Sequence, residues 1–249
     1  MSDWTRDYFD RGYGQRWGLH APGDQVHSDA AGIWKLLVLS AGARVADVGC
    51  GHGRHALALA QRGARVVGAD ASGPLLSRAR DLGHELGVPA QWVRADMRSL
   101  PFRSQAFDAA LSMDAFGFFA TDDEDRAVLA ELARIVRPGG SVLMKVVNGH
   151  AVLRDLRKAD REERDGQLIE ISRTLSGKRM TERLRMDGPR GAGEYRREQR
   201  LYDLNELRRM LEHVGLAVSS VSANPQATPF DEIASVSIWV LSVRQAGES

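Results

Sequence analysis

Three glycines at alternate positions follow an apolar run that ends in a carboxylate. Asp47 closes this predicted strand, and the turn after it contains Gly49, Gly51 and Gly53. Glycine allows backbone angles that other residues avoid, and it leaves the main chain bare for a ligand. A second apolar run ends in Asp70, about 20 residues further on, where nucleotide-binding βαβ units place a carboxylate for ribose hydroxyl groups. These positions predict a nucleotide-binding turn.

The glycine spacing narrows the class of nucleotide. Gly-x-Gly-x-Gly is not the Gly-x-Gly-x-x-Gly that seats a dinucleotide pyrophosphate, and no Gly-Lys-Ser/Thr follows to hold a triphosphate. Both nicotinamide dinucleotides and nucleoside triphosphates are therefore disfavoured. Arg54 lies directly after the turn, where a positive charge can meet an anionic group. A tight turn with no ligand is the alternative, and the two carboxylates at strand ends argue against it.

Composition excludes several classes of protein and site. The 249 residues carry 34 basic and 33 acidic side chains, so no global charge attracts nucleic acid or an anionic membrane. Cys50 is the single cysteine, which excludes an internal disulfide and a four-cysteine zinc site. The polar N-terminus lacks the apolar core of a signal peptide, and no run reaches the length of a transmembrane helix. We therefore expect a cytoplasmic protein with no membrane partner and no metal.

Apolar periodicity predicts alternating strands and helices, which is typical of an α/β protein with a doubly wound, mostly parallel sheet. The predicted strands are 44–48, 65–69, 90–94, 107–113, 141–147, 216–221 and 235–243. The predicted helices are 26–40, 54–61, 74–86, 122–136 and 204–214. Seven strands thus form one sheet with helices on both faces.

The alternation of predicted strands and helices stops at residues 150–202, which are charged and poor in apolar runs. Residues 169–175 and 180–186 flank Ser176-Gly177 and predict a hairpin, and 194–202 predict a third strand. This segment has too few apolar residues to fold alone. We expect a small antiparallel insertion after the fifth strand, the flap, which covers the substrate site or forms a contact between copies of the chain. Residues 1–25 form an N-terminal arm, and residues 26–149 and 203–249 form the core domain.

Several segments in order resemble the motifs of the class I S-adenosylmethionine-dependent methyltransferases. They are VADVGCGHG at 45–53, GADAS at 68–72, RADMRSLPF at 94–102, FDAALSMDAFGFF at 107–119 and LARIVRPGGSVLM at 132–144. The resemblance implies a Rossmann-like sheet of seven strands with the last strand antiparallel. It also implies S-adenosyl-L-methionine as cofactor and S-adenosyl-L-homocysteine as product.

The same resemblance implies roles for individual residues. Asp70 would accept hydrogen bonds from both ribose hydroxyls, Asp96 would receive the adenine amino group, and Met97 would lie against the ring. The other cofactor-binding positions that it implies are Asp47, Gly49, Cys50, Gly51, Gly53, Arg54, Ala71 and Met113.

The loop after the fourth predicted strand indicates the kind of acceptor. Family members that methylate nucleobase amino groups or protein glutamine often carry Asn-Pro-Pro-Tyr here, whereas this chain has SMDAFGFF at 112–119. The difference favours the branch that acts on small molecules, including enzymes that tailor natural products in secondary metabolism. Residues expected to bind the substrate are Trp17, Asp114, Phe116, Phe119, Tyr195 and Tyr202.

Few side chains offer acid or base chemistry for the transfer. Tyr8 and Tyr13 lie on the aromatic arm, which resembles the lid of small-molecule methyltransferases, although such residues also pack on a fold without touching a ligand. His150 follows the fifth strand and is the other catalytic candidate, with a surface position as its alternative.

The predicted reaction is methyl transfer from S-adenosylmethionine to an amine or hydroxyl of a small metabolite. Nitrogen is preferred, because a neutral amine needs no strong base and no base or metal set stands out. The alternatives are an O- or C-methyltransferase on a small molecule, an RNA or protein methyltransferase, and a catalytically silent cofactor-binding protein. The expected partner is a small acceptor and not nucleic acid.

Overall fold

The computed structural model describes residues 3–245 as two sheets with helices; the predicted arm and core also include residues 1–2 and 246–249, which lie outside the described part. Among residues 3–245 no helix is long and apolar enough to cross a membrane. The helices are α1 (Asp3–Asp7), α2 (Tyr13–Trp17), α3 (Asp24–Leu36), α4 (Arg54–Gln61), α5 (Gly73–Glu85), α6 (Asp122–Ile135), α7 (Gly149–Arg154) and α8 (Leu204–His213), with a π-helical turn at Tyr8–Gly12. The strands are β1 (Arg44–Val48), β2 (Arg65–Asp70), β3 (Gln91–Arg94), β4 (Phe107–Met113), β5 (Val136–Val147), β6 (Ala159–Arg164), β7 (Gln167–Ser176), β8 (Arg179–Asp187), β9 (Gly193–Arg200), β10 (Leu216–Ser222) and β11 (Ser237–Arg244).

The larger sheet has seven strands in the order β10-β11-β5-β4-β1-β2-β3. Strands β1 to β5 pair in parallel, whereas β11 is antiparallel to both β5 and β10. The predicted doubly wound, Rossmann-like fold with an antiparallel last strand is confirmed. Parallel pairing brings the carboxyl ends of β1, β2 and β4 to one edge, and this edge is where open α/β sheets bind ligands.

The sheet is covered on both faces, as a parallel sheet requires. Along β1 the side chains alternate between two apolar clusters, with Val45 in one and Ala46 and Val48 in the other. The first cluster includes Ile33 of α3, and the second includes Leu129 of α6. This alternation explains why β1 reads as a continuous apolar run in the sequence.

Residues 159–200 form a second, four-stranded antiparallel sheet in the order β6-β7-β8-β9, which we call the flap sheet. The predicted hairpin is confirmed, but its turn lies one residue later, because Ser176 still pairs with Arg179. The sequence did not predict β6, since its residues are mostly charged and partly exposed and its pairing with β7 comes from the backbone.

The arm packs against the inner face of the flap sheet. Tyr8 is only 1% exposed and contacts an apolar cluster that includes Ile169, Leu184 and Tyr195. The aromatic residues of this short polar segment therefore have a place to bury, and arm and flap sheet form one cover over the edge of the larger sheet.

The two predicted elements whose boundaries differ most from the structure do so for local reasons. The helix predicted at 26–40 begins earlier, after Gly23, and ends at Leu36, because Val38 adopts a left-handed backbone with φ of 50°. Strand β5 begins before the predicted residue 141, since Val136 is already extended and the strand runs through Arg137-Pro138-Gly139-Gly140.

Candidate active site

The turn between β1 and α4 is held to the neighbouring strand by the backbone. The N–H of Gly49 donates to the carbonyl of Ala69 at 2.8 Å, which fixes the turn beside the end of β2. Gly49 and Gly51 have φ of 75° and 57°, a region that favours glycine. A Cβ at Gly49 would lie 2.4 Å from that of Ala115, whereas a Cβ at Gly51 would meet only Leu75, at 4.0 Å. The main chain at Gly51 is therefore open toward the cavity.

Asp70 lies next to this open main chain at the end of β2. One carboxylate oxygen accepts the N–H of Gly51 at 2.8 Å, and the other accepts the N–H of Ser72 at 2.8 Å. Burial raises the pKa of Asp70, and these two hydrogen bonds oppose that rise. Each oxygen keeps a second lone pair, so the group can accept further hydrogen bonds from a pair of hydroxyls.

Asp47 is buried below the turn, with 2% of its surface exposed. Its Oδ2 has no hydrogen-bond partner among residues 3–245, although the residue lines the cavity. Burial, together with the nearby charge of Asp70, raises the pKa of Asp47 to about 7, while Arg54 acts in the opposite direction. A buried carboxylate oxygen without a donor is costly, and a ligand with a cationic donor would satisfy it.

Asp96 is held at the cavity by a residue that the sequence analysis missed. The Nε of Arg98 donates to Asp96 Oδ1 at 3.0 Å, and these hydrogen bonds lower the pKa of the carboxyl. The guanidinium of Arg98 also lies 4.6 Å from the ring centre of Phe119, which lines the same cavity. The only signal in the sequence is a basic residue two positions after Asp96.

Two cationic side chains, Lys145 and Arg54, lie next to the carboxylate of Asp114. Its Oδ2 accepts a hydrogen bond from Lys145 Nζ at 2.7 Å and lies 4.0 Å from Arg54 Nη2. The residue has a left-handed backbone, with φ of 57°, and its N–H donates to the carbonyl of Lys145. The sequence analysis missed Lys145; its signal was a lone lysine in an otherwise apolar strand. The pair neutralises Asp114, which is therefore a weak site for a cationic amine.

The arm lies over this edge of the sheet. The ring of Tyr13 is 6.3 Å from that of His52, and burial raises the pKa of its hydroxyl, with smaller effects from the nearby charges of Arg54, Asp114 and Asp70. Trp17, which follows on the arm, stacks with guanidinium groups and lines the mouth of the cavity.

A cavity of about 880 Å³ lies between the sheet edge and the cover. Most residues that the sequence predicted for the site line it. They are Tyr8, Tyr13, Trp17, Asp47, Gly49, Cys50, Gly51, Arg54, Asp70, Ala71, Asp96, Met97, Met113, Asp114 and Phe119.

Two residues predicted for the site do not line the cavity, because of where the backbone places them. His150 is exposed at the start of α7, where its N–H bonds to Asn148. Gly53 is the N-cap of α4, and a Cβ there would lie 2.3 Å from the ring of Trp92. Gly53 thus allows packing of the turn against β3 and does not reach the cavity.

Three predicted aromatic residues lie in the core and not on the cavity wall. Phe116 packs against Tyr202 with ring centres 5.2 Å apart, and the hydroxyl of Tyr202 donates to Asp125 at 2.7 Å. Tyr195 lies within the apolar cluster between arm and flap sheet. The cavity wall at these elements is made instead by Phe118 and by charged residues of the cover.

These features fit S-adenosylmethionine. The unpaired oxygen of Asp47 matches its ammonium group, the open main chain at Gly51 leaves room for the ligand, and Asp70 is free to accept hydrogen bonds from a ribose. The cofactor would thus lie across the ends of β1 and β2.

Known proteins match the segment that contains the glycine turn, Asp70 and Asp96. Residues 45–140 match the family model described as a methyltransferase domain. Over 105 residues the chain is 36% identical to a probable tRNA methyltransferase 9B of Mus musculus, which covers 42% of this chain and 22% of that protein. Over 103 residues it is 41% identical to the demethylmenaquinone methyltransferase of Thermus thermophilus, covering 41% of this chain and 46% of that protein. The chain thus spans less than half the length of these relatives.

Solved structures show the same fold over most of the chain. A S-adenosylmethionine-dependent methyltransferase from Clostridium acetobutylicum has a TM-score of 0.80 at 14% identity, covering 88% of this chain and 91% of that one. CalS10 from Micromonospora echinaspora, an amino pentose methyltransferase solved with S-adenosylmethionine bound, has a TM-score of 0.64 at 22% identity, covering 94% and 95%. Residues 45–140 thus match a methyltransferase domain in sequence, and the solved structures share the fold of this chain.

Replacement of Gly51 by alanine tests where the cofactor lies. We expect Gly51→Ala to weaken S-adenosylmethionine binding at least about tenfold, because the new methyl group points into the open space at the turn. The left-handed backbone costs about 1–2 kcal/mol of stability for a residue with a Cβ.

Gly177→Ala is the matched control, since Gly177 has φ of 58° with nothing within 4 Å of an added Cβ and lies far from the sheet edge in the flap hairpin. Both variants should lose similar stability in thermal unfolding, and only Gly51→Ala should lose affinity in calorimetry. Equal affinities in the two variants would contradict this placement of the cofactor.

The raised pKa of Asp47 predicts a pH dependence of cofactor binding. In the free protein the carboxyl ionises with a pKa of about 7, and a bound ammonium group favours the ionised form. Binding therefore releases a proton below pH 7, so affinity should rise up to about tenfold per pH unit from pH 5.5 and level off above 7. Calorimetry at constant ionic strength measures this slope. Asp47→Asn should bind more weakly with a flat profile; a flat profile in the unaltered protein would refute the assignment.

Proposed function

We propose that this protein transfers the methyl group of S-adenosylmethionine to an amine or hydroxyl of a small metabolite. The observation that carries the proposal is the cavity of about 880 Å³, which has the cofactor residues as its floor and the arm and flap sheet as its roof. A cavity of this size, covered by the arm and the flap sheet, suits a cofactor and a small acceptor. In this view residues 1–25 are a lid, residues 150–202 are the substrate cover, and the remainder is the cofactor-binding core.

Two of the similar proteins support a small acceptor. The Thermus relative is named a demethylmenaquinone methyltransferase, and CalS10 is named an amino pentose methyltransferase. The structural match to CalS10 covers 94% of this chain, and the sequence match to the mouse tRNA methyltransferase relative covers 42% of it.

The cofactor, when bound, supplies an electrophilic methyl group on a sulfonium. The residues of this chain then have to align the acceptor and exclude water. Asp47, Asp70 and Asp96 hold the cofactor across the sheet edge. We assign the assisting role to Tyr13, because its ring lies 6.3 Å from that of His52 beside the glycine turn, whereas Tyr8 lies against the flap sheet. Burial raises the pKa of Tyr13, so its hydroxyl stays protonated at neutral pH and is able to donate a hydrogen bond to the acceptor.

The site favours nitrogen over oxygen as the methylated atom. His52 and His55 line the cavity. Burial lowers their pKa values to about 4 and about 3, and the positive charge of Arg54 is the second cause. Both are therefore weak proton acceptors at neutral pH. His150, the other candidate base, is exposed at α7. A hydroxyl acceptor usually needs a base, whereas an amine that arrives unprotonated does not.

An RNA acceptor is the second candidate, because similar proteins are named as tRNA methyltransferases. The outer face of the flap sheet argues against it. The exposed charges there are of mixed sign: Arg185 lies between Glu170 and Glu194, and Arg196, although opposite Arg183, pairs with Glu198. A phosphate backbone is bound by continuous positive charge, which this face lacks.

The direct test is a search for the methylated product. The protein is incubated with S-adenosylmethionine and pools of amine- and hydroxyl-bearing metabolites, and mass spectrometry detects the gain of one methyl group. We expect a product from a small amine, and less of it from the Gly51→Ala variant when S-adenosylmethionine is subsaturating. Methylation of tRNA with a steep salt dependence would support the RNA candidate instead. Cofactor binding without product in any pool would support a catalytically silent protein.

Paired tyrosine variants test the role of Tyr13. With the acceptor found in that search, Tyr13→Phe should lower kcat about tenfold, since it removes one hydrogen bond at the reacting groups. Its affinity for S-adenosylmethionine should change by less than threefold or so. Tyr8→Phe removes the same hydroxyl from the same arm and should lower kcat less. A larger decrease of kcat in Tyr8→Phe than in Tyr13→Phe would indicate that Tyr8, and not Tyr13, assists the reaction.

A further inference from the structure

The charged residues of the cavity are divided between its two sides. The sheet edge contributes the carboxylates that hold the cofactor, while arginines predominate on the cover side. Among the described residues that line the cavity, the arm and residues 150–200 contribute five arginines and three carboxylates. They are Arg16, Arg154, Arg157, Arg173 and Arg197, with Asp155, Asp160 and Glu182.

Glu182 is the centre of a row that crosses the flap sheet. Arg173 and Arg197 lie directly opposite it on the two neighbouring strands. The Nε of Arg173 donates to Glu182 Oε1 at 2.8 Å, and Arg197 Nη2 lies 2.6 Å from Glu182 Oε2. Arg16 of the arm is 3.5 Å from the same Oε2. One carboxylate is thus shared by three guanidinium groups.

Two of these arginines, Arg173 and Arg16, each have a second carboxylate nearby that balances their charge, whereas Arg197 has none among the described residues. Asp160 lies 3.7 Å from Arg173, and Glu162 lies 3.1 Å from Arg16. Among residues 3–245, Arg197 has an ion pair with Glu182 alone. Arg197 is therefore the cation in this row with the least compensation.

Arg197 and Arg16 also keep donors without acceptors. The Nε of each is buried and has no hydrogen-bond partner within the described part of the chain. The Arg16 side chain is only 5% exposed. The guanidinium of Arg197 lies 5.6 Å from the ring centre of Phe118, which also lines the cavity. Buried N–H donors are costly when unpaired, so a ligand with acceptor oxygens would be stabilised here.

We propose that the acceptor carries an oxyanion, a carboxylate or a phosphate, at the end that lies away from the methylated atom, and that Arg197 and Arg16 bind it. This inference rests on the proposed function, since it concerns the acceptor of the same cavity. A guanidinium group matches a carboxylate or phosphate with two parallel hydrogen bonds, and the adjacent Arg173 adds positive charge. The oxyanion would replace Glu182 in part as the negative partner of Arg197 and Arg16.

A purely structural role is the competing explanation, because Arg16 ties the arm to Glu162 and Glu182 of the flap sheet. The two explanations differ in what they predict for anion binding. A tie between arm and sheet affects stability, whereas a binding site makes the affinity for an oxyanion depend on Arg197.

The experiment uses the full chain saturated with S-adenosylhomocysteine. Inorganic phosphate and acetate are titrated separately by calorimetry at constant ionic strength, with chloride as the balancing ion. We expect saturable binding of at least one of them at one site. Arg197→Gln should weaken it at least about tenfold, as expected for a lost charge-assisted hydrogen bond. Glu182→Gln should tighten it, because the internal competitor is neutralised.

Arg196→Gln is the matched control. Arg196 is the neighbour of Arg197 on β9 but points to the outer face, where it pairs with Glu198. It should leave anion affinity unchanged, and thermal unfolding checks that each variant is folded. Preference for phosphate indicates a phosphorylated acceptor and preference for acetate a carboxylate; both support the proposal.

Other outcomes overturn it. No saturable binding of either anion to the unaltered protein, or equal losses in Arg197→Gln and Arg196→Gln, would show that the row only ties arm to sheet. The proposed function is then unaffected if S-adenosylhomocysteine itself binds. If that product does not bind, the proposed function fails and the oxyanion site fails with it.

Discussion

The carboxylate of Asp70 joins the ends of two neighbouring strands, and the site is built around it. It accepts the N–H of Gly51 from the β1 turn and the N–H of Ser72 from the start of α5. The parallel register of β1 and β2 makes this possible, because Val48 is paired with Ala69 and the next residues of both strands meet at the edge. One side chain therefore both shapes the turn and faces the ligand.

The second constraint is the closure of the cavity by arm and flap sheet. Tyr8 buries its ring against the flap sheet, and Arg16 reaches the buried Glu182 on the same sheet. Apolar packing thus fixes the cover, while its charged row remains in contact with the cavity. The two sides differ in their predominant charge as a result: carboxylates outnumber cations at the sheet edge, and arginines outnumber carboxylates on the cover side.

Much of the core could be predicted from sequence because its signals are local. Strand β1, helix α4 and strand β4 occur at the predicted residues. The cofactor residues that follow strand ends mostly line the cavity, since topology alone brings them together. The residues of the cover that face the cavity could not be predicted, because they depend on the register of the flap strands. Arg196 and Arg197 are adjacent in sequence, yet only Arg197 lines the cavity. Lys145 and Asp114 likewise meet only because β4 and β5 pair.

Calorimetric titration of S-adenosylmethionine into the purified protein tests the central claim most directly. The account predicts saturable binding at one site, and a loss of about ten- to a hundredfold in Asp70→Ala, as expected when hydrogen bonds to a charged group are removed. Absence of binding by both S-adenosylmethionine and S-adenosylhomocysteine, or unchanged affinity in folded Asp70→Ala, would contradict it.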